Sequence, residues 1–511
     1  MSDWNAGYVT EIGYPYGYFP ELCPLRSELA FLNKGIRLPE IKTACELGFG
    51  QGLSTNIHAA GTQVEWHGTD FNPAQAGFAQ ELAEASGSKA DLRDEAFDEF
   101  CNRKDLPDFD FIGLHGIWSW VSEENRQLLV DFIRRKLKVG GIVYVSDNSL
   151  PGWASFVPIR HMMLEHSKRM STPSSGIINR IEGAIEFIEN LKKTKPTYTE
   201  ISPDSDERFR KLNEHGKHYL AHEYFNKDWH PMHFATLANY LESAKLDFAC
   251  SAHYLDHIDA VALTPDQQKY ILNLPDIVMR ETTRDFIINQ NFRRDYWVKG
   301  ARKLSPLEQS AALKAHRIVL ISYRPEISMK ITGPKGEAKM SLEVYVPILD
   351  ALADYKVKTI GQLFAELEPK GLKFNSLIEA ILILASDGQL TSAQDPAISA
   401  KVSKQCRSLN LKLLSKAHRG GEIGSLVSPV TGSGIAVNRI QQLFALAILN
   451  GKKTAAEWAE STWNILSVQG QKLSIEGKTV ESDEENLREL NTLAKNFEEK
   501  KLPILKSLQI L

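Results

Sequence analysis

The sequence predicts an α/β protein that opens with a doubly wound, mostly parallel sheet, and three observations predict it. Strand-length apolar runs alternate with stretches of helical periodicity between residues 41 and 147, the rhythm of a parallel sheet covered by helices on both faces. The first strand-to-helix turn reads Glu46-Leu-Gly48-Phe-Gly50-Gln-Gly52, an acid followed by three glycines at alternate positions. A second acid, Asp70, closes the next strand-like run.

Each element follows in order. Residues 41–47 make a buried first strand and residues 53–60 a helix. Gly48 allows a tight turn between them, while Gly50 and Gly52 let the backbone approach a ligand closely. The third glycine falls one position earlier than in the dinucleotide pattern G-x-G-x-x-G, which points away from NAD and towards S-adenosylmethionine. Residues 64–70 form the second strand, and Asn72 with Pro73 starts a helix that buries Phe78, Ala79, Leu82 and Ala83. Asp70, with Phe71 beside it, is placed to accept hydrogen bonds from both ribose hydroxyls. Read alone, Asp70 serves equally as a turn residue; the joint pattern with Glu46 and the glycines favours a nucleoside site.

The third strand, around residues 90–97, supplies Asp94 and the adjoining Glu95 towards the adenine amino group. Residues 109–115 make a fourth strand ending at His115. Ser122 then caps a helix with Leu128, Leu129, Phe132, Ile133 and Leu137 on its inner face, and Gly140-Gly141 turns into a fifth strand, 142–147. Ligands of such sheets sit at the carboxyl ends of the strands, where Gly48, Gly50, Gly52, Asp70, Asp94 and His115 all fall.

Four further segments carry a resemblance: Tyr14-Pro-Tyr-Gly-Tyr-Phe-Pro-Glu21-Leu-Cys-Pro, Leu114-His-Gly-Ile-Trp118-Ser-Trp120-Val, Asn148-Ser-Leu-Pro-Gly-Trp153 and Tyr219-Leu-Ala-His-Glu-Tyr224-Phe-Asn-Lys-Asp228-Trp. With the glycine turn, they resemble class I S-adenosylmethionine-dependent methyltransferases that carry a methyltransferase regulatory domain. More narrowly, they are similar to the rickettsial-type outer-membrane-protein lysine methyltransferases. The resemblance implies a Rossmann-like methyltransferase sheet in a catalytic domain at residues 1–160. It also implies a helical middle or regulatory domain at 161–330 and a mostly helical, winged-helix-like C-terminal region at 331–511. S-adenosyl-L-methionine is the cofactor it implies, and a protein lysine the methyl acceptor.

Composition bounds the partners. The chain has 511 residues and a net charge of −4, so no global basic field draws it to nucleic acid or an anionic membrane. Its five cysteines are widely spread and form no C-x-x-C pair, which suits a reducing cytoplasm. The N-terminal residues lack the pattern of a signal peptide, and no apolar run is long enough to span a membrane. A cytoplasmic enzyme is expected, and a homodimer is left open.

Beyond residue 160, residues 195–206 read as a linker and 231–244 as a helix. The apolar runs 246–252 and 317–323 are expected to be the last pair of strands in the catalytic sheet, with a helical block from about 260 to 310 between them. Gly333-Pro334 opens the C-terminal region, where 347–355, 359–367 and 377–385 read as short helices and residues 389–391 begin a wing strand. Lys401, Lys404, Arg407, Lys412, Lys416 and Arg419 form a basic run.

Methyl transfer from a sulfonium is an in-line displacement that needs a placed, deprotonated nucleophile. Aromatic walls hold a cationic acceptor, and Trp118, Trp120 and the Tyr14/Tyr16/Tyr18 group are candidates, ordinary packing being the plainer reading. His115 serves either as a general base or by bonding the amino-acid end of the cofactor. Glu21 either approaches the transferred methyl or pairs with an arginine. The candidate catalytic residues are thus His115, Trp118, Tyr14 and Glu21. Glu46, Gly48, Gly50, Gly52, Asp70, Phe71, Asp94, Glu95 and His115 are the candidate cofactor-binding residues.

No metal is expected. His215, His218, His222, His230 and His233 crowd one region, but His222-Glu223 is followed by Asn226 where H-E-x-x-H requires histidine. The groups Arg280/Arg284/Asp285 and Arg293/Arg294/Asp295 read as a salt-bridged helix face. Two rivals stand beside protein-lysine methylation: methylation of a small molecule or surface-polysaccharide sugar with His115 as base, and a cofactor-sensing regulator that uses the basic run to bind DNA or a protein.

Overall fold

The computed structural model describes residues 7–201, 203–212, 214, 216–475 and 477–511. His215 and the first six residues therefore lie outside the description, as does Ser202 of the expected linker. Among the described residues no helix is long and apolar enough to cross a membrane.

The centre is a seven-stranded sheet: β1 (Thr43–Leu47), β2 (Glu65–Thr69), β3 (Asp91–Arg93), β4 (Phe109–Leu114), β5 (Leu137–Asn148), β6 (Asp247–Ser251) and β7 (Phe292–Val298). Their order across the sheet is β3-β2-β1-β4-β5-β7-β6. The first five strands run parallel, and β7 lies antiparallel between β5 and β6. The alternation along each strand divides two cores. Cys45, Ile112, Val143 and Trp297 face the helices Glu123–Lys136 and Phe234–Glu242. Ala44, Phe111, Tyr144 and Tyr296 face the opposite core, which includes Leu29, Ala30 and Phe31 of helix Pro24–Asn33.

The expected caps are present. Asn72 accepts from the Ala74 N–H, and Ser122 accepts from the Asn125 N–H at 3.3 Å. One expectation is corrected. Residues 247–251 do join the sheet, but their partner is β7, not the run at 317–323. The segment at 317–320 is β8 (Arg317–Leu320), which pairs with β11 (Lys358–Thr359) and β12 (Leu390–Ala393) in a separate three-stranded sheet; a hairpin of β9 (Lys330–Gly333) and β10 (Gly336–Lys339) lies between. The block inserted between the last two catalytic strands accordingly runs through residues 254–288, ending with helix Ile277–Ile288.

The charged group at 293–295 is corrected with it. These residues lie on β7, where Arg293 is buried and paired with Asp285, Asp295 and Glu281 at 2.6, 2.6 and 2.8 Å. Its guanidinium lies over the Phe234 ring, 4.3 Å from the centroid. A helix face was the wrong reading because the charges point into the core, where each finds a partner.

Two helical assemblies complete the molecule. Between β5 and β6, helices Val157–Arg169, Gly176–Lys193 and Lys217–Tyr224 enclose their own core, with Ile181, Ile185, Phe156 and Trp229 inside it. At the C-terminal end, helix Pro396–Lys416, the hairpin β13 (Ser425–Ser428) and β14 (Ser433–Ala436), and the last helices share a core with Leu53, Ile57 and Leu82 of the N-terminal region. The basic run lies on and just after that helix, and Lys412 and Lys416 both pair with Glu81, at 2.6 and 3.0 Å. Two of its six charges are thus engaged by Glu81, which weakens a DNA-binding use of this face.

Candidate functional site

The glycine turn sits at the carboxyl ends of β1 and β2. Gly48, Gly50 and Gly52 all have positive φ, at 75°, 58° and 65°, a region costly for residues with a side chain. The turn is hung from β2: the Gly48 N–H donates to Thr69 O at 2.8 Å. The Gly50 N–H donates to Asp70 Oδ2 at 2.8 Å, and the Asn72 N–H donates to Asp70 Oδ1 at 3.1 Å. Asp70 is therefore held in place by the backbone it faces.

Space around the turn is shaped on three sides. A Cβ built on Gly48 would lie 2.2 Å from Ile117 Cδ1, and one on Gly50 would lie 3.2 Å from Tyr14 Cδ1. One on Gly116, across the cleft at the end of β4, would lie 4.0 Å from Tyr14 Oη. Tyr14 thus spans the mouths of β1 and β4. It belongs to a strap of residues 7–19 fastened at both ends. The Val9 N–H donates to Asn226 Oδ1 at 2.9 Å, Gln51 Nε2 donates to Tyr14 O at 3.0 Å, and the Phe19 N–H donates to Ser54 Oγ at 2.8 Å. His222 Nε2 lies 3.2 Å from the carbonyls of Ile12 and Gly13.

The remaining candidates divide. Glu46 is buried on β1 and accepts from Thr55 Oγ; burial pushes its carboxyl up to about 8. Phe71 packs edge-on to Tyr8, with ring centroids 5.8 Å apart. Asp94 is exposed after β3. Glu95 is half-buried and accepts from Arg103 at 3.3 Å, while its other oxygen, Oε2, has no hydrogen-bond partner among the described residues. His115 stacks on Phe19 at 3.6 Å, and its Nδ1 lies 2.9 Å from Tyr144 Oη. Burial depresses its pKa to about 4, so it is neutral and a weak proton acceptor at pH 7. Glu21 pairs with Arg294 at 3.0 Å. Its burial works against ionisation, but Arg26, Arg294 and His115 outweigh it and hold the carboxyl below its ordinary value.

Trp118 is corrected: it is fully buried, with Nε1 donating to Met232 Sδ at 3.2 Å and its ring edge-on to Tyr240. It packs between sheet and helix and exposes no surface to a substrate. Trp120, two residues on, is only half-buried and donates from Nε1 to Glu223 O at 3.3 Å. Of the three tyrosines, Tyr14 alone meets the glycine turn. Tyr16 packs on Phe78 at 5.0 Å, and Tyr18 on His58 at 5.5 Å.

Residues the sequence did not single out complete the cleft: Tyr8, Ile117, Asn148, Arg160 and Glu223. Asn148 ends β5; its N–H donates to Ser119 Oγ at 2.8 Å, and its Nδ2 donates to Glu223 Oε1 at 3.4 Å. Burial raises Asp70 and Glu223 to about 7. The histidines near 220 have separate partners, His230 pairing with Asp228 at 3.0 Å, and no three ligating side chains converge among the described residues.

Glu46, Asp70 and Glu223 share one thermodynamic consequence. Each is raised in the folded chain, so its contribution to stability is full below about pH 4 and is lost as pH rises through 7 to 8. The thermal midpoint of the ligand-free protein is expected to fall between pH 5 and 8 and to level off above it, and Glu46→Gln to flatten part of that slope. A midpoint that rises over this range contradicts the assignment.

The cleft fits S-adenosylmethionine on its own features: a turn of three left-handed glycines, with Gly48 and Gly50 facing Ile117 and Tyr14 and Gly52 packed on Ala79, an oriented carboxylate at the second strand, and an unpartnered acceptor, Glu95 Oε2, after the third. Comparison with known proteins agrees. Residues 216–299 match a family model described as a predicted methyltransferase regulatory domain. The chain is 40% identical over 512 aligned positions to the uncharacterized protein sll1526 of Synechocystis sp., covering 99% of both chains. It is 29% identical to RP789 of Rickettsia prowazekii over 274 positions, 51% of this chain and 46% of that one. The structure of PKMT2 from Rickettsia typhi in complex with AdoHcy superposes with a TM-score of 0.68 at 18% identity, covering 98% of this chain and 100% of that one.

Proposed function

Because the chain belongs to the family of S-adenosylmethionine-dependent methyltransferases that carry this regulatory domain, we propose that it methylates lysine side chains of a protein substrate. The observation that carries the proposal is the tyrosine pair at the cleft: Tyr14 lies over Gly50 and Gly116, and Tyr8 packs on Phe71 and His222 with ring centroids 5.8 and 5.6 Å apart. Tyr8 and Tyr14 stand there between two carboxylates, Asp70 on one side and Glu223 on the other, whose negative charges both raise the tyrosine pKa values after the larger effect of burial. Aromatic rings beside a carboxylate favour a cationic guest, and an alkylammonium is one. The four segments similar to rickettsial-type lysine methyltransferases support the same acceptor.

S-adenosylmethionine, when bound, supplies an electrophilic methyl group on a sulfonium. The chain's own residues then have the following assignments. Gly48 and Gly50 shape the turn that the cofactor approaches, and Gly52 lets the turn pack against Ala79. Asp70, held by the Gly50 and Asn72 N–H groups, receives the ribose hydroxyls, with Phe71 beside it. Asp94 and Glu95 lie towards the adenine, which Ile117 would flank at Gly48. His115 is a hydrogen-bonding residue for the amino-acid end, in keeping with its low pKa and its stacked, tethered ring. Glu21 acts through its pairing with Arg294, which fixes the strap's exit beside His115.

A hydroxyl acceptor would need a competent base, and a histidine depressed to about 4 does not supply one at neutral pH. An amine acceptor needs only to shed one proton. The test is transfer of labelled methyl from S-adenosylmethionine to cell proteins, glycans and small molecules counted separately, followed by hydrolysis of the protein fraction. Methyl-lysine is the expected product; label confined to glycan or small molecules would move the enzyme to another acceptor class. His115→Ala is expected to weaken cofactor binding, measured by titration with S-adenosylhomocysteine. Intact binding with lost turnover would make His115 the base instead.

A further inference from the structure

We propose that Glu223 is the acceptor-amine residue of this enzyme: it binds the incoming lysine ammonium beside Tyr8 and Tyr14 and takes its proton before methyl transfer. The inference rests on the lysine reading above and assigns the residue that makes an amine, and not a hydroxyl, the preferred acceptor.

The placement comes first. Glu223 lies on helix Lys217–Tyr224, in the segment matched by the regulatory-domain model, yet its side chain reaches the catalytic sheet. Asn148 Nδ2, at the carboxyl end of β5, donates to Glu223 Oε1 at 3.4 Å, and Trp120 Nε1, just after β4, donates to Glu223 O at 3.3 Å. Ser119 lies between these two anchors, with Oγ accepting from the Asn148 N–H at 2.8 Å. The carboxylate is therefore tied to the end of β5, and the main chain that carries it to the turn after β4.

The surroundings come second. Tyr14 and Tyr8 approach from the strap and Tyr219 and Tyr224 from Glu223's own helix; all four respond to its charge. Arg160, on helix Val157–Arg169, is the cation that faces it, but the Arg160 guanidinium donates from Nη2 to Asn226 O at 2.6 Å and stacks on Trp229 at 4.8 Å. No salt bridge joins Glu223 to Arg160 or to another described cation within 4.0 Å. A half-buried carboxylate with one weak neutral donor and aromatic neighbours is left short of a cation. Burial pushes its carboxyl up to about 7, with Asn148 and Arg160 opposing, so near neutral pH it changes readily between proton acceptor and proton donor.

The chemistry balances. A lysine ammonium gives one proton to the Glu223 carboxylate, leaving a neutral amine and a carboxylic acid. The amine lone pair forms the new N–C bond as the methyl–sulfonium bond breaks, and that bond's electron pair stays on sulfur. The product is a methylammonium, and the proton on Glu223 passes to solvent. An unassisted lysine, with a pKa near 10.4, would be almost wholly protonated at pH 7.

The experiment measures methyl-lysine formed by wild type, Glu223→Gln and Glu223→Asp on poly-L-lysine and on heat-inactivated total cell protein, with S-adenosylhomocysteine titrated into each variant as a check of folding. Glu223→Gln keeps an acceptor for Asn148, so it is expected to bind S-adenosylhomocysteine normally while kcat falls by roughly 100-fold. The wild-type kcat/KM should rise through pH 7 and level off, as expected of a base that works when deprotonated. In Glu223→Gln that step should vanish, leaving the steady climb of an unassisted amine. Glu223→Asp should keep the step at a reduced rate. Wild-type turnover or an unchanged step in Glu223→Gln overturns the role of Glu223 and leaves lysine methylation standing. If Glu223→Gln fails the folding check, loss of the step in a well-folded Glu223→Asp overturns it instead. Absence of methyl-lysine from the wild-type reactions overturns both.

Discussion

Gly50→Ala is expected to abolish cofactor binding in a chain that still folds. Gly50 has φ of 58°, where an alanine costs about 1–2 kcal/mol, a cost a chain of this size absorbs. The added Cβ would lie 3.2 and 3.3 Å from Tyr14 Cδ1 and Cε1, closer than a ring fixed by the strap accommodates. It would also stand on the face where the cofactor must approach, beside the N–H that orients Asp70. Strain, a displaced ring and a disturbed Asp70 act together, and affinity for S-adenosylhomocysteine should fall by at least about 100-fold, or roughly 2.7 kcal/mol. Calorimetric titration measures it, with circular dichroism as the folding control. Normal binding in a folded Gly50→Ala variant would place the cofactor elsewhere.

Arg293→Met should be the most destabilising single change in the catalytic domain. The side chain is buried and makes ion pairs to Asp285, Asp295 and Glu281, all within 2.8 Å. Methionine of similar length fills part of the space but leaves three carboxylates facing one another without a cation. Breaking a buried pair in this way costs about 3–5 kcal/mol, a large share of the roughly 5–15 kcal/mol that holds a domain together. The remaining acids can escape by binding protons. Burial already raises Asp147 to about 8, Asp285 to about 7 and Asp295 to about 6. Their stabilising contribution is present at low pH and lost as pH rises through these values. The variant should therefore be weakest at pH 8 and recover towards pH 5.5, as measured by urea midpoints at both. A loss below about 1 kcal/mol at pH 8 would mean that the network is better replaced than kept.

The same network explains where the sequence misleads. Phe292–Val298 is a central sheet strand, but Arg293-Arg294-Asp295 within it look solvent-exposed because a buried arginine is recognisable only through its partners. Residues 317–323 look more like a core strand, and β8 is one, in another sheet. An apolar run shows that a strand is buried, not which neighbour it pairs with. The glycine turn was legible because its constraint is local: three positive φ angles demand glycine whatever surrounds them.

The acceptor side of the cleft was harder to read. Tyr8 meets the helix of Glu223 across more than 200 residues of sequence, its ring 5.6 Å from that of His222, and a glutamate on a helix reads as a solvated face until something covers it. Trp118 and Trp120 are two residues apart, yet one fills the core and the other half faces the cleft. The short turn around them puts their side chains in different environments, and composition carries no sign of which is which. The basic run at 401–419 shows the same limit: Glu81, its partner, lies more than 300 residues away.

The most direct test of this account is the structure of the protein with S-adenosylhomocysteine and a lysine-containing peptide. The account predicts the ribose on Asp70, the nucleoside against Gly48 and Gly50, and the lysine amine entering beside Glu223, between Tyr8 and Tyr14, facing the sulfur. A cofactor bound away from the glycine turn, or a lysine reaching the sulfur from a side remote from Glu223, would contradict it.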